Sequence, residues 1–269
     1  NTYLVCDAIR RAGIKVAVSG QGADEIFLGY PQRRFFSPLV STLRIAPNAL
    51  RRALPMIDRR LPVPIDSPLD KVLESFGTTD YLGAAYLLRH SVFSKRMIEA
   101  LRGREIASPT RFVRDAGGID PLDRLSRLQV THYLKNTLLR DADQMSMAHS
   151  IEMRGPFLDS DLVEAVIATP SHRRVARKRN KPLLLDAVGP TLPRDVWDRP
   201  KQGFGIPMRR WILEGLRVAP DPGANVGLHS EAVTTVRQAF EGGQNYVRYW
   251  TLQVLSAWAQ RERMGTTKL

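Results

Sequence analysis

Apolar residues recur at helical spacing along most of the chain, and strand-like segments are rare. Residues 2–13 carry apolar positions on one broad face and end at a glycine, which predicts a helix. Residues 15–18 (KVAV) predict a short buried strand. Further helices are predicted at 68–77, 79–92, 94–103, 121–139, 155–169 and 181–188, and in two segments of the tail. The pattern therefore predicts a mainly helical chain with one strand and no internal repeat.

The predicted strand leads directly into a loop of small and acidic residues, Ser-Gly-Gln-Gly-Ala-Asp-Glu at 19–25. Glycines after a strand let an anion approach the backbone closely, and the N–H groups can point at it. A carboxylate just beyond suits Mg²⁺, which prefers carboxylates together with substrate phosphates. Ser19, Gly20, Gln21, Gly22 and Asp24 thus indicate a pyrophosphate and metal site, although an ordinary strand-to-helix turn explains the same residues equally well.

Two later segments add candidate chemistry. Residues 133–164 place Glu152 and Arg154 just before Pro-Phe-Leu-Asp, and the same two side chains would also make a simple surface ion pair. Residues 197–212 hold Lys201 in a loop shaped by prolines and glycines. A lysine fixed there would supply positive charge to a transition state, whereas an isolated lysine is usually a solvated surface residue.

Composition narrows the function classes. The 269 residues carry a net charge of +13 and a single cysteine, Cys6, which excludes an internal disulfide and a cysteine metal cage. Two basic runs, 51–60 and 172–181, lack the aromatic residues of a single-strand nucleic-acid platform, so a solvated surface is favoured over a nucleic-acid site. No apolar run reaches the length of a membrane span.

Together, the three segments resemble the C-terminal synthetase domain of the glutamine-hydrolysing asparagine synthetase family. The family patterns run close to S-G-E-G-A-D-E-x-F-G-G-Y, D-R-M-S-M-A-H-S-x-E-x-R-x-P-F-L-D and R-P-K-Q-G-F-x-x-P. Residues 19–30, 143–159 and 199–207 follow them in this order. The resemblance implies a doubly wound, Rossmann-like α/β fold of the ATP-pyrophosphatase (PP-loop) type. Residues 1–269 would be a mainly helical C-terminal portion of it, with 31–120 as a helical insertion.

The resemblance also implies a reaction. In that family ATP activates the side-chain carboxylate of aspartate as an acyl-adenylate, and ammonia made from glutamine by a separate domain then attacks. ATP and Mg²⁺ are the implied cofactors. By position, the implied roles are Mg²⁺ ligation by Asp24, pyrophosphate binding by Ser19, Gly20 and Gly22, charge stabilisation by Lys201, and acid/base or orienting roles for Glu152 and Gln21.

Several positions depart from the family pattern. The usual glutamate is Gln21, which can orient a substrate but cannot act as a general base. Leu28 stands at the first glycine of Gly-Gly-Tyr, Gln144 replaces an arginine, and Gly155 follows Arg154. Because the same scaffold forms other amides, including β-lactam rings and macrolactams, a ligase acting on another carboxylate is an alternative to aspartate. A non-catalytic basic helical binding module is a second alternative.

The family's phosphate-binding loop, near S-G-G-x-D-S, does not occur within residues 1–269, nor does an N-terminal catalytic cysteine for glutamine hydrolysis. We therefore expect these residues to hold one part of the ATP site, to be inactive alone and to associate readily through exposed apolar surface. The expected setting is cytoplasmic, with small-molecule substrates, a glutaminase domain and a homodimer as partners, and with neither a specific nucleic acid nor a membrane.

Overall fold

The computed structural model describes residues 1–31, 33–47, 49–50, 53–54, 64–76, 78, 80–107, 120–176, 179–198, 205–219, 222–244 and 246–266. These residues are mostly helical with one small parallel sheet, which confirms the predicted mainly helical α/β character. The chain forms two compact units, Asn1–Ile45 with Val113–Gly205 and Ala46–Phe112 with Ile206–Leu269. The helical insertion at 31–120 stays a prediction.

The first unit contains the sheet and a long helical rod. The rod begins with Pro121–Leu128, continues as a π-helix over Gln129–Leu138 and ends with Leu139–Met147. Asp120 starts it by accepting hydrogen bonds from the N–H groups of Leu122 and Asp123, as an N-cap does. The unit's other helices are Thr2–Arg11, Ala23–Ile26, Arg33–Ile45, Ser160–Ala168, Ser171–Arg174, Pro182–Val188 and Arg194–Trp197, with 3₁₀ turns at Pro156–Leu158 and Gly189–Thr191.

The sheet pairs strand β1, Val16–Val18, with strand β2, Glu152–Arg154, in parallel. Its register sets Val16 beside Glu152 and Val18 beside Arg154. The prediction of a buried strand is wrong for the described chain, because Val16 is 42% and Val18 73% exposed. A sheet of two short strands leaves alternate side chains uncovered. Strand β2 was not predicted, since Glu-Met-Arg lacks β-branched residues and is extended through its pairing with β1.

The core of the first unit packs Ile26 and Phe27 against Val166 and neighbouring apolar side chains. Leu28 follows with φ of 54°, the left-handed conformation that normally favours glycine. This is the position at which the family pattern has a glycine. Leu28 is only 1% exposed, so burial of its side chain offsets the backbone strain.

The second unit is helical in its described part. Its helices are Pro68–Ser75, Tyr81–His90, Lys95–Arg102, Met208–Leu213, Ser230–Glu241 and Tyr246–Thr266, with a 3₁₀ turn at Ala224–Val226. Ser67, Asp80 and Ser94 cap the first three helices through side-chain oxygens that accept backbone N–H bonds. The main core joins four of these helices, Lys95–Arg102, Met208–Leu213, Ser230–Glu241 and Tyr246–Thr266. Its buried residues are Met97, Leu101, Met208, Ile212, Ala232, Val236, Phe240, Tyr249 and Leu252.

Candidate active site

The loop after β1 is hydrogen-bonded at its first residues, whereas two of its backbone N–H groups have no described acceptor. The Ser19 N–H donates to the Arg154 carbonyl at 2.7 Å, which continues the strand pairing by one residue. The Gln21 N–H donates to Ser19 Oγ at 3.3 Å. Within the described residues the backbone N–H groups of Gly20 and Gly22 have no acceptor. The loop thus contains two backbone donors without a described acceptor, one at the exposed Gly20 and one at the buried Gly22.

The two glycines of this loop, Gly20 and Gly22, differ in the space around the position that a side chain would occupy. Gly22 has φ of 94°, and an added Cβ would lie 2.6 Å from Leu158 Cδ2 and 3.3 Å from the Phe157 carbonyl oxygen. Packing and backbone conformation therefore both require glycine there. An added Cβ at Gly20 would meet no atom of the described residues within 4 Å. The side-chain position is consequently open at Gly20 and filled by Leu158 at Gly22.

Ser19, Gln21 and Glu152 line one cavity of about 300 Å³, so the structure brings together three of the predicted site residues. One face of the helix Leu139–Met147 also lines this cavity, through Leu139, Ala142, Asp143, Ser146 and Met147. Asp143 and Ser146 were not predicted as site residues. Their spacing with Leu139 and Ala142 is that of a single helix face and would have identified them.

The side chain of Gln21 makes a long hydrogen bond to the π-helix. Its Nε2 donates to the carbonyl oxygen of Leu138, the last π-helical residue, at 3.4 Å. π-Helical segments are rare and often occur at functional sites. An ionised glutamate cannot donate a hydrogen bond, so the family glutamate could not reproduce this contact. The amide donor of glutamine therefore suits the carbonyl oxygen that faces this position.

Glu152 and Arg154 form an exposed ion pair on one face of β2. Arg154 Nε donates to Glu152 Oε1 at 2.7 Å, and both side chains are more than half exposed. The hydrogen bond from Arg154, and then its charge, lower the pKa of Glu152. Glu152 is therefore ionised near neutral pH, which suits an orienting carboxylate better than an acid.

Asp24 does not line this cavity. Its Oδ1 lies 3.1 Å from Lys181 Nζ, and an added Cβ at Gly29 would come within 1.9 Å of the same oxygen. The described residues contain no group of three or more potential metal ligands. Asp24 is thus paired with a lysine, so a metal at this carboxylate would have to displace Lys181 Nζ, and Mg²⁺ ligation stays a prediction.

The neighbouring carboxylate, Glu25, has a structural environment. It is 1% exposed, accepts a hydrogen bond from the Tyr30 hydroxyl at 2.6 Å, and has its pKa raised by burial. Its backbone carbonyl accepts a hydrogen bond from Ser126 Oγ. Two adjacent acids of one motif therefore differ: Asp24 remains partly exposed, and Glu25 ties the loop to the helical rod.

The basic run 172–181 is not a uniformly solvated surface. Arg174 is fully buried; it donates to the Ile26 carbonyl and to Ser126 Oγ and forms an ion pair with Asp123. Lys181 pairs with Asp24. Arg174 and Lys181 are therefore engaged in contacts within the fold and do not contribute to a continuous basic surface.

Two predicted features lie outside the described residues. Lys201 is one of them, so its place relative to the cavity stays a prediction. Most of the basic run 51–60 is the other. Among the helices that are described, none has the length and apolar character needed to cross a membrane.

Comparison with known proteins gives a consistent family. A family model described as "Asparagine synthase" matches residues 1–260. The chain is 30% identical over 213 residues to "Putative asparagine synthetase [glutamine-hydrolyzing]" of Mycobacterium tuberculosis, covering 76% of this chain and 32% of that protein. It is 25% identical over 260 residues to "Asparagine synthetase [glutamine-hydrolyzing] 1" of Bacillus subtilis, covering 91% and 40%.

A third relative carries a different name. The chain is 24% identical over 237 residues to "Amidase chry2" of Gibberella zeae, covering 77% of this chain and 34% of that protein. The chain thus spans between about a third and two fifths of the length of these relatives. No solved structure matches the chain.

Proposed function

The chain belongs to the asparagine synthase family, and on that basis we propose that it contributes to ATP-dependent synthesis of asparagine from aspartate. In this proposal ATP converts the side-chain carboxylate of aspartate into an acyl-adenylate with release of pyrophosphate. Ammonia derived from glutamine then attacks the activated carbonyl carbon, and AMP leaves. Family membership supports ATP-dependent amide synthesis in general.

The loop at Gly20 carries the proposal. Two backbone N–H groups without described acceptors flank an open position next to a cavity lined by Ser19, Gln21 and Glu152. Such donors suit a phosphate group, because they supply fixed partial positive charge without a side chain. We assign Ser19, Gly20 and Gly22 to the pyrophosphate and the cavity to the reacting carboxylate.

The cavity needs added positive charge to bind two polyanions. Its described lining side chains include two carboxylates, Asp143 and Glu152, and no lysine or arginine. We propose that Lys201 and Mg²⁺ supply the missing charge, with Asp24 as the protein ligand of the metal. When bound, Mg²⁺ would neutralise phosphate charge; the chain's own residues would position the carboxylate and the nitrogen nucleophile.

Glu152 is proposed to orient the nitrogen nucleophile. A carboxylate with a lowered pKa is a weak proton acceptor, but it accepts hydrogen bonds from N–H groups well. Gln21, held by the Leu138 carbonyl, has an amide oxygen left to accept a second bond. The two side chains lie on the same cavity and could hold one nitrogen between them.

A ligase acting on another carboxylate is the second candidate, and Gln21 is the observation that favours it. Glutamine replaces the family glutamate and donates a hydrogen bond to the Leu138 carbonyl of the π-helix, which an ionised glutamate could not donate. The match to a relative named as an amidase agrees with different specificities on this scaffold. A panel of carboxylates in a pyrophosphate-release assay of the natural protein that carries this chain distinguishes the candidates, because only the preferred substrate should stimulate release.

The wider setting is part of the same proposal. Residues 1–269 would be the C-terminal portion of a synthetase domain, with 31–120 inserted in it and with a glutaminase domain as partner. We also propose that the fold is a Rossmann-like PP-loop arrangement and that the protein is a cytoplasmic homodimer. Residues 1–269 alone would be inactive. Size measurement by light scattering tests the dimer directly, since a monomer at micromolar concentration would contradict it.

The proposed loop function is tested by binding of pyrophosphate to Gly20→Ala. We expect roughly tenfold weaker binding by calorimetry, because the added methyl group fills the open position through which the anion reaches the backbone. Gly189→Ala is the control: it adds a methyl group in the same unit, with its nearest neighbouring atom at 4.0 Å. Equal affinities for all three proteins would remove the pyrophosphate assignment from this loop.

A further inference from the structure

The second unit contains a cavity of about 540 Å³ that the proposed amide chemistry does not use. Side chains of the helices Pro68–Ser75, Tyr81–His90 and Tyr246–Thr266 line it, together with the segment just after His90. Ligand sites in proteins typically enclose roughly 300–1,000 Å³. The cavity is therefore large enough for a small organic molecule.

The cavity wall combines one sign of charge with apolar surface. Lys71, Arg89 and Arg248 line it, and its described lining residues include no aspartate or glutamate. Pro68, Val72, Leu88 and Val247 supply aliphatic surface between the cations. Such a wall favours a molecule with a negative group on an apolar body.

Two of these cations, Lys71 and Arg248, are held in place by contacts within the fold. Arg248 Nε lies 2.5 Å from a carboxylate oxygen of Asp66, which is only 2% exposed. Lys71 Nζ donates to the carbonyls of Ser91 and Val92 at 2.8 and 2.9 Å and lies 3.8 Å from Asp66. Their positions are thus fixed before any ligand arrives, which lowers the entropy cost of binding.

Arg89 is the cation that remains available. Its side chain is exposed, and in the described part of the chain no carboxylate lies within ion-pair distance of it. Next to it, His90 stacks on Tyr86 with ring centroids 4.2 Å apart. Burial and then the charge of Arg89 lower the pKa of His90 to about 4, so its ring is neutral at pH 7.

We propose that this cavity binds a small organic anion, a carboxylate or phosphate ester on an apolar chain, with Arg89 as its principal charged contact. Lys71 and Arg248 provide the positive surroundings, and the aliphatic wall takes the apolar chain. The site involves none of the residues assigned to amide synthesis, so either proposal can fail without the other.

The test compares three six-carbon probes by calorimetry at pH 7.5: hexanoate, hexyl phosphate and hexylammonium. We expect saturable binding of at least one anion and none of the cation. Arg89→Gln should weaken anion binding roughly tenfold or more, since a hydrogen bond to a charged group typically contributes that much. Arg89→Lys, which keeps the charge, should retain most of it.

Arg102→Gln is the matched control, because Arg102 also lies in the last turn of a helix of this unit but does not line the cavity. Its affinity should equal that of the unmodified protein. NMR of the five histidines gives an independent readout, in which the bound anion should shift the His90 ring signals most. Absence of saturable anion binding, equal binding of hexylammonium, or unchanged binding by Arg89→Gln would each overturn the proposal.

Discussion

The cavity of the first unit and the cavity of the second use charge in opposite ways. In the first, carboxylates face the cavity, and the ion pair of Glu152 with Arg154 is more than half exposed. In the second, cations face the cavity, and two of them pair with the buried carboxylate of Asp66. Solvent screens the first arrangement, whereas the second is embedded in the fold.

The residues of the first cavity and those behind the second differ in how much they contribute to stability. An exposed pair contributes little to stability, so Glu152 can be changed with little structural consequence. A buried carboxylate that holds two cations cannot be removed without leaving their charges uncompensated. We therefore expect substitutions in the first cavity to alter activity and substitutions behind the second cavity to alter stability.

The largest expected effect is that of Asp66→Asn. Asp66 binds Arg248 and Lys71, accepts the Ser94 N–H at 2.5 Å, and has φ of 65°, which asparagine tolerates. Loss of its charge removes the ion-pair partner of two part-buried cations, which should lower the free energy of unfolding by about 3 kcal/mol or more. Urea denaturation measures the change.

Asp186→Asn makes the same chemical change in an exposed pair with Arg179. It should alter the free energy of unfolding by less than about 1 kcal/mol. If Asp66→Asn had an equally small effect, the buried charges would not be structural and the contrast between the two regions would fail.

The second effect is a pH dependence from His90. Its pKa is about 4 in the fold and near 6.5 when unfolded, so between these values the unfolded chain binds more protons. Stability should therefore fall as the pH is lowered from about 7 to about 4, by up to about 3 kcal/mol. His90→Gln should flatten this dependence relative to the unmodified protein. A His90 pKa near 6.5 by NMR titration would contradict the buried environment.

A smaller effect is expected for Gly22→Ala. The added methyl group forces a non-glycine residue into φ of 94° and within 2.6 Å of Leu158, which should cost about 2 kcal/mol. Gly20→Ala should cost less than about 0.5 kcal/mol, because its added methyl group meets no atom of the described residues within 4 Å. The reverse order of the two unfolding free energies would show that the loop is packed differently.

The smallest structural effect is expected for Arg154→Gln. Both partners of the pair are exposed, so the unfolding midpoint in urea should not move measurably. The pKa of Glu152 should return toward its ordinary value, because the hydrogen bond and charge of Arg154 are lost. Carboxyl NMR titration tests this directly, and an unchanged pKa would show that another group keeps Glu152 ionised.

The helical periods of the sequence predicted the helices well, because apolar residues at 3.6-residue spacing must face a core. The first cavity was partly predictable, since Ser19, Gln21 and Glu152 lie in motifs whose ends meet at a parallel strand pair. Strand β2 was missed because only its partner makes it extended. Arg174 and the second cavity could not be foreseen, because residues at 71, 89 and 248 carry no sequence pattern that predicts their meeting.

Release of pyrophosphate by the natural protein that carries this chain tests the proposed chemistry most directly. With ATP, Mg²⁺, ammonia and its preferred carboxylate, Glu152→Gln should lower the rate roughly 10²-fold or more. Glu164→Gln, an exposed acid that does not line the cavity, should keep the full rate. An unchanged rate in Glu152→Gln, or pyrophosphate release that no carboxylate stimulates, would contradict amide synthesis at this cavity.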